Sequence, residues 1–520
     1  MPYCKAVSVS AESQTTQIKP MKLPPSYRNW LSAFGTVTAL CGFLAFFVLQ
    51  IISLIINENI VYLGLLTYII IPGFIVLGLV AIPIGMYRKR KQIKKEGLSA
   101  QEGWPKIDLN DTATQNAITI FVVVSVVFVL LTVVGTWKAY HYSESVAFCG
   151  TLCHQVMEPE HTTYQNSPHA RVKCVECHVG EGADWLVKSK ISGLRQVFKT
   201  IAGSYPRPIP TPIENLRPAR ETCERCHWPE KFYAHKIRNE KHFIADSANT
   251  EWNIILKMKV GAEHASLGNT SGSHWHINTD YEIDYVYDDD KRESIPWVRL
   301  INKVTGDVMV FVDEENPLPD STVITLPTRV MDCMDCHNRP SHNFLSPPIY
   351  VNNLLAANGH LQAIPWFKKS AMEALNDPYN TLDSAFLGIR ETMLSWYSNE
   401  YPELLQQHNA EISNAVGLIQ KAFALNAFPK MGVTYSNYPQ HIGHMETKGC
   451  FRCHDDKHTT TDGRVISKDC NLCHTIIGQG TVSSFATSDI NSGLEFTHPV
   501  DIGSDWKDYF CSDCHNTLFP

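Results

Sequence analysis

Fourteen of the sixteen cysteines form seven closely spaced pairs, each followed directly by a histidine. The paired cysteines are Cys149, Cys153, Cys174, Cys177, Cys223, Cys226, Cys333, Cys336, Cys450, Cys453, Cys470, Cys473, Cys511 and Cys514. The histidines that follow them are His154, His178, His227, His337, His454, His474 and His515. Such a motif attaches a c-type haem: the two thiols bind the porphyrin covalently, and the imidazole binds the iron. We therefore predict seven covalently attached c-type haems.

Two other kinds of site also use closely spaced cysteines. Zinc ribbons bind metal through such pairs, and secreted domains oxidise them to disulfides. Neither explains why a histidine follows the second cysteine in every pair. Covalent haem explains both the pairs and the histidines, and it leaves Cys4 and Cys41 as unattached thiols.

Three long segments without a charged side chain lie in the first third of the chain. They are Leu31–Asn57, Val61–Tyr87 and Ala117–Trp137. A transmembrane helix needs about 20 mostly apolar residues, and each segment has that length. A single run of this kind can be a buried helix of a soluble protein, but three in succession favour a membrane anchor. We predict three transmembrane helices within residues 31–142.

The distribution of basic residues predicts the orientation of these helices. Six lysines and arginines lie between Arg88 and Lys95, and positive loops stay in the cytoplasm. The loop 88–116 is then cytoplasmic. The tail 1–30 is cytoplasmic too, because the span that follows it resembles an uncleaved signal anchor. Residues after the third span lie in the periplasm of a bacterium, outside the inner membrane. Bacteria attach c-type haems in that compartment, where cytosolic reductants do not protect thiols, so topology and cysteine usage agree.

The net charge is uneven along the chain. Residues 1–116 carry a formal charge of +5 and the remainder carries −12, which gives −7 for the whole. An acidic outer region argues against nucleic acid as a partner. It favours docking to a basic surface on another redox protein, with a merely solvated acidic surface as the alternative.

The sequence from the third span to about residue 230 resembles the NapC/NirT/NrfH family of membrane-anchored, quinol-oxidising multihaem cytochromes. The resemblance is carried by the third span followed by CGTLCHQVMEPE, by SPHARVKCVECHVG, and by Trp185 with Lys188 and Lys190. This chain departs from the family pattern at the first motif. Three residues, not two, separate its cysteines, and Met157 follows His154 by three places instead of two.

The resemblance implies an electron entry site. In the family, the first haem lies at the membrane surface beside the quinol, and a methionine just after its motif can bind the iron. A lysine after the second motif lines the quinol pocket. Carried over, Met157 is a candidate ligand of the first haem, and Lys190 or Lys188 is a candidate contact of menaquinol or a similar quinol. Methionine is also a common packing residue, so the alternative role of Met157 is that of a packing neighbour of the haem.

The remaining chain divides into regions of different pattern. Residues 143–204 form a NapC/NirT-like two-haem module, and 205–520 form a periplasmic five-haem region. Alternating apolar residues predict a small β insertion at about 251–330, and helical spacing predicts a helical segment at about 350–428. The predicted fold class is a mainly α, membrane-anchored multihaem cytochrome. Outside these two segments, we expect the haem region to have little regular structure.

Fifteen histidines lie outside the motifs, enough to give each iron a second, distal ligand. We predict that His169 serves another haem of its own module and that His276, next to His274 on a strand, serves a later one. The other predicted distal ligands are His235, His342, His444, His458 and His498. An iron with two protein ligands has no open position for substrate, so its chemistry is electron transfer.

These features predict an inner-membrane quinol dehydrogenase that serves anaerobic or extracellular respiration. Its partners would be the membrane quinone pool and periplasmic c-type cytochromes or another redox acceptor. One alternative is a multihaem reductase with one open haem that acts on a small oxyanion. Another is a non-catalytic electron-wiring subunit of a larger membrane complex.

Overall fold

The structure is a computed structural model that describes residues 25–55, 66–96, 109–110, 112–152, 154–180, 182–211, 217–228, 234–261 and 271–515. The chain forms two compact units, one up to Leu152 and one from Cys153 onward. Most of the predicted tail 1–30 and the middle of the predicted loop 88–116 lie outside the described residues, as does Cys153. For His154 only the backbone is described.

The first unit is helical. Its helices are α1 (Trp30–Ile55), α2 (Ile71–Lys95), α3 (Thr112–Ser143) and α4 (Val146–Thr151). Among the described residues, two helical segments are long and apolar enough to cross a membrane, Trp30–Ile52 and Ile71–Lys95. Helix α3 has 32 residues and covers the third predicted span. Helix α2 continues through the basic residues to Lys95, so the predicted loop 88–116 begins as helix.

Small residues let α1 and α2 pack closely. A β-carbon placed on Gly78 would lie 2.7 Å from the Gly35 carbonyl oxygen, so only glycine allows this approach. The Ser32 hydroxyl donates a hydrogen bond to the Ile82 carbonyl, at 2.9 Å. Membrane helices associate through such small residues and interhelical hydrogen bonds, because apolar side chains gain little from leaving lipid.

The second unit contains short helices around the cysteine motifs and longer helices in two segments. The helices are α5 (His154–Gln165), α6 (Cys174–His178), α7 (Ala183–Ile201), α8 (Ala219–Cys223), α9 (Asp320–Val323), α10 (Cys333–Cys336), α11 (Pro347–Ala357), α12 (Gly359–Gln362), α13 (Phe367–Leu375), α14 (Leu382–Glu400), α15 (Pro402–Asn426), α16 (Asp505–Asp508) and α17 (Cys511–His515). Helices α11 to α15, here called the helical bundle, occupy residues 347–426, close to the predicted segment 350–428.

Two antiparallel sheets complete this unit. The strands are β1 (His235–Phe243), β2 (Glu251–Lys259), β3 (Tyr281–Val286), β4 (Trp297–Asn302), β5 (Val308–Asp313), β6 (Thr328–Val330), β7 (His458–Thr459), β8 (His474–Thr481) and β9 (Ser484–Thr487). Their orders are β1-β2-β8-β9 and β6-β3-β4-β5-β7. Each sheet takes strands from the last hundred residues. The β insertion predicted at 251–330 is therefore not self-contained: it belongs to two sheets.

The main apolar core lies in the helical bundle. Ala385, Ile389, Met393 and Tyr397 of α14 are all fully buried. They stand four positions apart, so they form one stripe along the helix that faces the neighbouring helices. This core includes more than twenty buried side chains, whereas the other two core clusters contain five or six each.

We expect Ile389→Ala to lower the stability of the bundle. Ile389 is 0% exposed, and removing a fully buried aliphatic side chain costs about 2–5 kcal/mol. Leu387→Ala is a matched control on the same helix, because Leu387 is 58% exposed. Thermal unfolding followed by circular dichroism should show a midpoint lowered by several degrees for Ile389→Ala alone. Equal midpoints for the two variants would contradict the assignment of this stripe to the core.

Candidate haem-binding sites

Most of the described cysteine motifs fold as a single helical turn. In three of them the motif histidine donates its backbone N–H to the carbonyl of the first cysteine: His227 to Cys223 at 2.8 Å, His337 to Cys333 at 2.8 Å and His454 to Cys450 at 3.0 Å. Positions i, i+3 and i+4 of a helical turn lie on one face. The two thiols and the imidazole of a motif therefore point to the same side, as covalent attachment and iron binding require. The described cysteines form no disulfides.

Six of the seven motif histidines face a second histidine from elsewhere in the chain. The pairs and their ring-centroid distances are His227 with His169 at 6.0 Å, His178 with His342 at 6.2 Å, His337 with His274 at 6.2 Å, His454 with His276 at 5.7 Å, His474 with His444 at 6.1 Å, and His515 with His498 at 6.2 Å. An imidazole nitrogen binds a metal at about 2 Å, so two rings on opposite sides of one iron lie with centres roughly 6 Å apart. The pairs fit this arrangement.

Backbone carbonyls orient five of the six distal histidines. Each accepts a hydrogen bond from the histidine's Nδ1: Pro340 from His169 at 3.0 Å, Val260 from His274 at 2.9 Å, Ser273 from His276 at 2.9 Å, Glu160 from His342 at 3.0 Å, and Val500 from His498 at 2.7 Å. A bond at Nδ1 fixes the tautomer and leaves Nε2 as the basic nitrogen. The Nε2 atoms of His276 and His454 face each other at 3.5 Å.

Burial favours the neutral form of nine of the paired imidazoles. It lowers the pKa of His178, His274, His276, His337, His444, His454 and His515, and it lowers the pKa of His342 and His474 to about 4. A metal binds the neutral form of imidazole, so the buried histidines are in the form that iron requires.

The arrangement of the pairs differs from the predicted one in two places. His169 faces His227, which lies outside its own module. His274 and His276 lie on a 3-10 helix, Ser273–Ile277, and not on a strand. Positions two apart point in different directions in such a helix, so His274 faces His337 while His276 faces His454. His274, which the sequence analysis did not select as a ligand, completes the pair at the fourth motif.

The structure does not support His458 as a distal ligand. Its side chain is fully buried, and both ring nitrogens bind protein groups: Nδ1 contacts the Asp455 carboxylate at 2.9 Å, and Nε2 lies 2.7 Å from the Ile295 carbonyl oxygen. Burial alone would lower the pKa of His458, but these two partners raise it. Both ring nitrogens of His458 are therefore already occupied by protein groups. His235, another predicted ligand, is exposed at the first residue of β1.

The residues of the predicted electron entry site lie on three helices. Cys149 belongs to α4, and Met157 is partly buried on α5. Lys188 and Lys190 are exposed on α7. The Lys188 ammonium lies 4.9 Å from the centre of the Trp185 ring, a cation–π contact that holds this lysine against the helix.

A cavity of about 580 Å³ opens beside two of the histidine pairs. It is lined by His169 and His337, together with Arg339 and Asn343. The Nε atom of Arg339 is buried and has no hydrogen-bond partner among the described residues. A buried cation of this kind is complementary to an acidic group, and a haem carries two propionates. The cavity lining is therefore compatible with a haem, as the histidine pairs are.

Comparison with known proteins agrees with this chemistry. Residues 111–208 match the NapC/NirT cytochrome c family, N-terminal region. The chain is 44% identical over 457 residues to the cytochrome c-type protein ImcH of Geobacter sulfurreducens, which covers 87% of this chain and 88% of the relative. It is 31% identical over 116 residues to the cytochrome c-type protein NrfH of Wolinella succinogenes, covering 22% of this chain and 63% of the relative. No solved structure matches the chain. The predicted resemblance to the NapC/NirT family is confirmed, and the similarity over most of the chain makes this an ImcH-like member.

Proposed function

The chain belongs to the ImcH-like members of the NapC/NirT cytochrome c family, and on that basis we propose that it oxidises menaquinol or a similar quinol at the inner membrane and delivers the electrons to a periplasmic redox partner. It is a membrane-anchored cytochrome c of electron transport. The quinol, the direction of transfer and the partner are the parts of this proposal that require experiment.

The observation that carries the proposal is the set of six facing histidine pairs. A c-type haem with two protein ligands supplies one-electron transfer and has no open position for a substrate. The proposed axial ligands are the six pairs and, at the first motif, Met157, which lies three positions after His154 on the same helix and would compete with it for the iron. In five of the pairs, a backbone carbonyl orients the distal ring toward the proposed iron. Seven haems and three membrane helices, with the N-terminus in the cytoplasm, are part of the proposal.

Helix α7 supports a quinol site at the membrane surface. Its residues Val187, Ile191, Leu194 and Phe198 are 56–66% exposed and lie three to four positions apart, so they form one exposed apolar face. An amphipathic helix of this kind lies well in a membrane interface. Lys190 borders that face, so its ammonium can bind a quinol oxygen where the quinol leaves the bilayer.

We expect Lys190→Ala to slow reduction of the haems by a menaquinol analogue about tenfold, because a charged hydrogen bond to the quinol oxygen contributes roughly 1.5–3 kcal/mol. The rate is measured by stopped-flow absorbance of detergent-solubilised protein. Lys199→Ala is the matched control, since Lys199 lies in the last turn of the same helix.

Dithionite should reduce both variants fully, because it needs no quinol site. If Lys190→Ala and Lys199→Ala react with the quinol at the wild-type rate, Lys190 is not a quinol contact. If the wild-type protein itself is not reduced by quinols but contains seven haems, the protein is an electron-wiring subunit instead.

Two histidine variants test the ligand assignment. His276→Ala removes the ring that faces His454, so one low-spin haem should become high-spin. His458→Ala should leave every haem low-spin, because both nitrogens of His458 already bind protein groups. Electron paramagnetic resonance distinguishes the two outcomes. A high-spin signal from His458→Ala alone would reverse the assignment, and a high-spin haem in the wild type that turns over nitrite would favour the reductase.

The surface around the last histidine pair supports a basic partner. Six acidic residues and one lysine lie between residues 489 and 513, and all are exposed: Asp489, Glu495, Asp501, Asp505, Asp508, Asp513 and Lys507. Lys507 is itself paired with Glu495 at 2.5 Å. Exposed Val500 and Tyr509 lie among these charges. An acidic rim with apolar residues beside a redox centre is complementary to a cytochrome with a lysine-rich surface.

We expect the double variant Asp505→Asn/Asp508→Asn to lower the rate of electron transfer to a basic cytochrome c at least about threefold at low ionic strength, because fewer charges steer the encounter. High salt should remove the difference. The control is Glu391→Gln/Glu400→Gln, which removes two exposed charges from α14. Equal rates for both double variants at low salt would exclude this surface as the docking site.

A further inference from the structure

The histidine pair of the sixth motif is held differently from the other five. The Nδ1 atoms of both His444 and His474 are buried, and neither has a hydrogen-bond partner in the described part of the chain. Every other distal histidine donates its Nδ1–H to a backbone carbonyl. Some other contact must therefore fix the plane of the His444 ring.

An aromatic side chain provides that contact. The Phe451 ring stacks on His444, with centroids 4.5 Å apart and planes inclined by 27°. Phe451 packs in turn on Phe510, at 5.3 Å. The Lys468 ammonium lies over both phenylalanine rings, 5.8 Å from the centre of Phe451 and 4.7 Å from that of Phe510.

The position of these phenylalanines in the sequence is informative. Phe451 lies inside the fifth motif, between Cys450 and Cys453, and Phe510 directly precedes Cys511 of the seventh. Covalent attachment at those motifs would anchor both rings of the stack beside the sixth site. The stack is thus built from the fifth and seventh motifs, and it constrains the ligand of the sixth.

We propose that Phe451 is the positioning residue for His444 and that the haem of Cys470 and Cys473 consequently has a higher reduction potential than it would with a hydrogen-bonded ligand. The inference rests on the haem ligation in the proposed function but not on quinol oxidation. An Nδ1–H bond to a carbonyl makes an imidazole more basic and stabilises ferric iron. His444 lacks that bond, and Lys468 adds positive charge nearby, so ferrous iron is favoured at this site.

Phe451→Leu tests the proposal. Leucine cannot hold the ring plane and opens space for water beside Nδ1, so one low-spin signal in electron paramagnetic resonance should shift or broaden. One reduction step in spectroelectrochemistry should move to lower potential. Phe451→Tyr keeps the stacked ring and should retain both wild-type properties, and haem content by pyridine haemochrome confirms that attachment is intact.

The matched control is Phe496→Leu. Phe496 lies against the distal histidine His498, with ring centroids 6.3 Å apart, but the Val500 carbonyl already orients that histidine. This variant should leave spectra and potentials unchanged. The proposal fails if Phe451→Leu retains wild-type spectra and potentials, or if the two leucine variants change them alike.

His444→Ala separates this failure from a failure of the ligand assignment. It should convert one haem to high-spin if His444 is a ligand. If all haems stay low-spin in His444→Ala, the pairing of His444 with His474 is itself incorrect. The proposed role of Phe451 is then incorrect as well.

Discussion

Six histidine pairs organise the second unit, because each brings two imidazoles to the separation that one iron between them would require. A motif supplies its own thiols and one histidine locally, but the opposite histidine comes from another segment. His178 of the early module faces His342, which follows the fourth motif, and His276 faces His454 of the fifth. Both of these pairs therefore join parts of the chain that are distant in sequence. The backbone shows the same long-range pairing, because each of the two sheets combines early strands with late ones.

A buried polar network fixes two motifs relative to one sheet. The Asp335 carboxylate, inside the fourth motif, accepts hydrogen bonds from Tyr285 at 2.6 Å and Arg329 at 2.6 Å. Arg452, inside the fifth motif, donates to the Asp335 carbonyl at 2.8 Å. Because Asp335 is almost fully buried, each of its oxygens must have a partner, and those partners hold the motif in one orientation. The same logic explains His458, whose two buried nitrogens tie Asp455 to the Ile295 carbonyl.

The sequence specifies the local chemistry and leaves the long-range pairings open. Spacing alone predicts the haem motifs, since Cys450, Cys453 and His454 need only one helical turn. The first two candidate membrane helices are also predictable from local sequence, because each needs only a long apolar segment. Whether His274 and His276 face the same way or different ways depends on whether SGSHWHI forms a strand or a 3-10 helix, which the sequence does not decide. The role of His458 becomes visible only through its contacts with Asp455 and Ile295. Likewise, the alternation in β2 predicts a strand, but its pairing with β8 is visible only in three dimensions.

These pairings also imply that folding of this unit depends on haem attachment. Outside the helical bundle, the two apolar core clusters are small, so the hydrophobic effect offers little stability there. Burial favours the neutral form of His276 and His454, whose Nε2 atoms lie 3.5 Å apart, and a buried nitrogen without a hydrogen-bond partner costs free energy. Iron held by both nitrogens, as in the proposed function, would remove that cost, and the porphyrin would add the apolar surface that the clusters lack. The cysteine motifs would then serve both as redox sites and as part of the core.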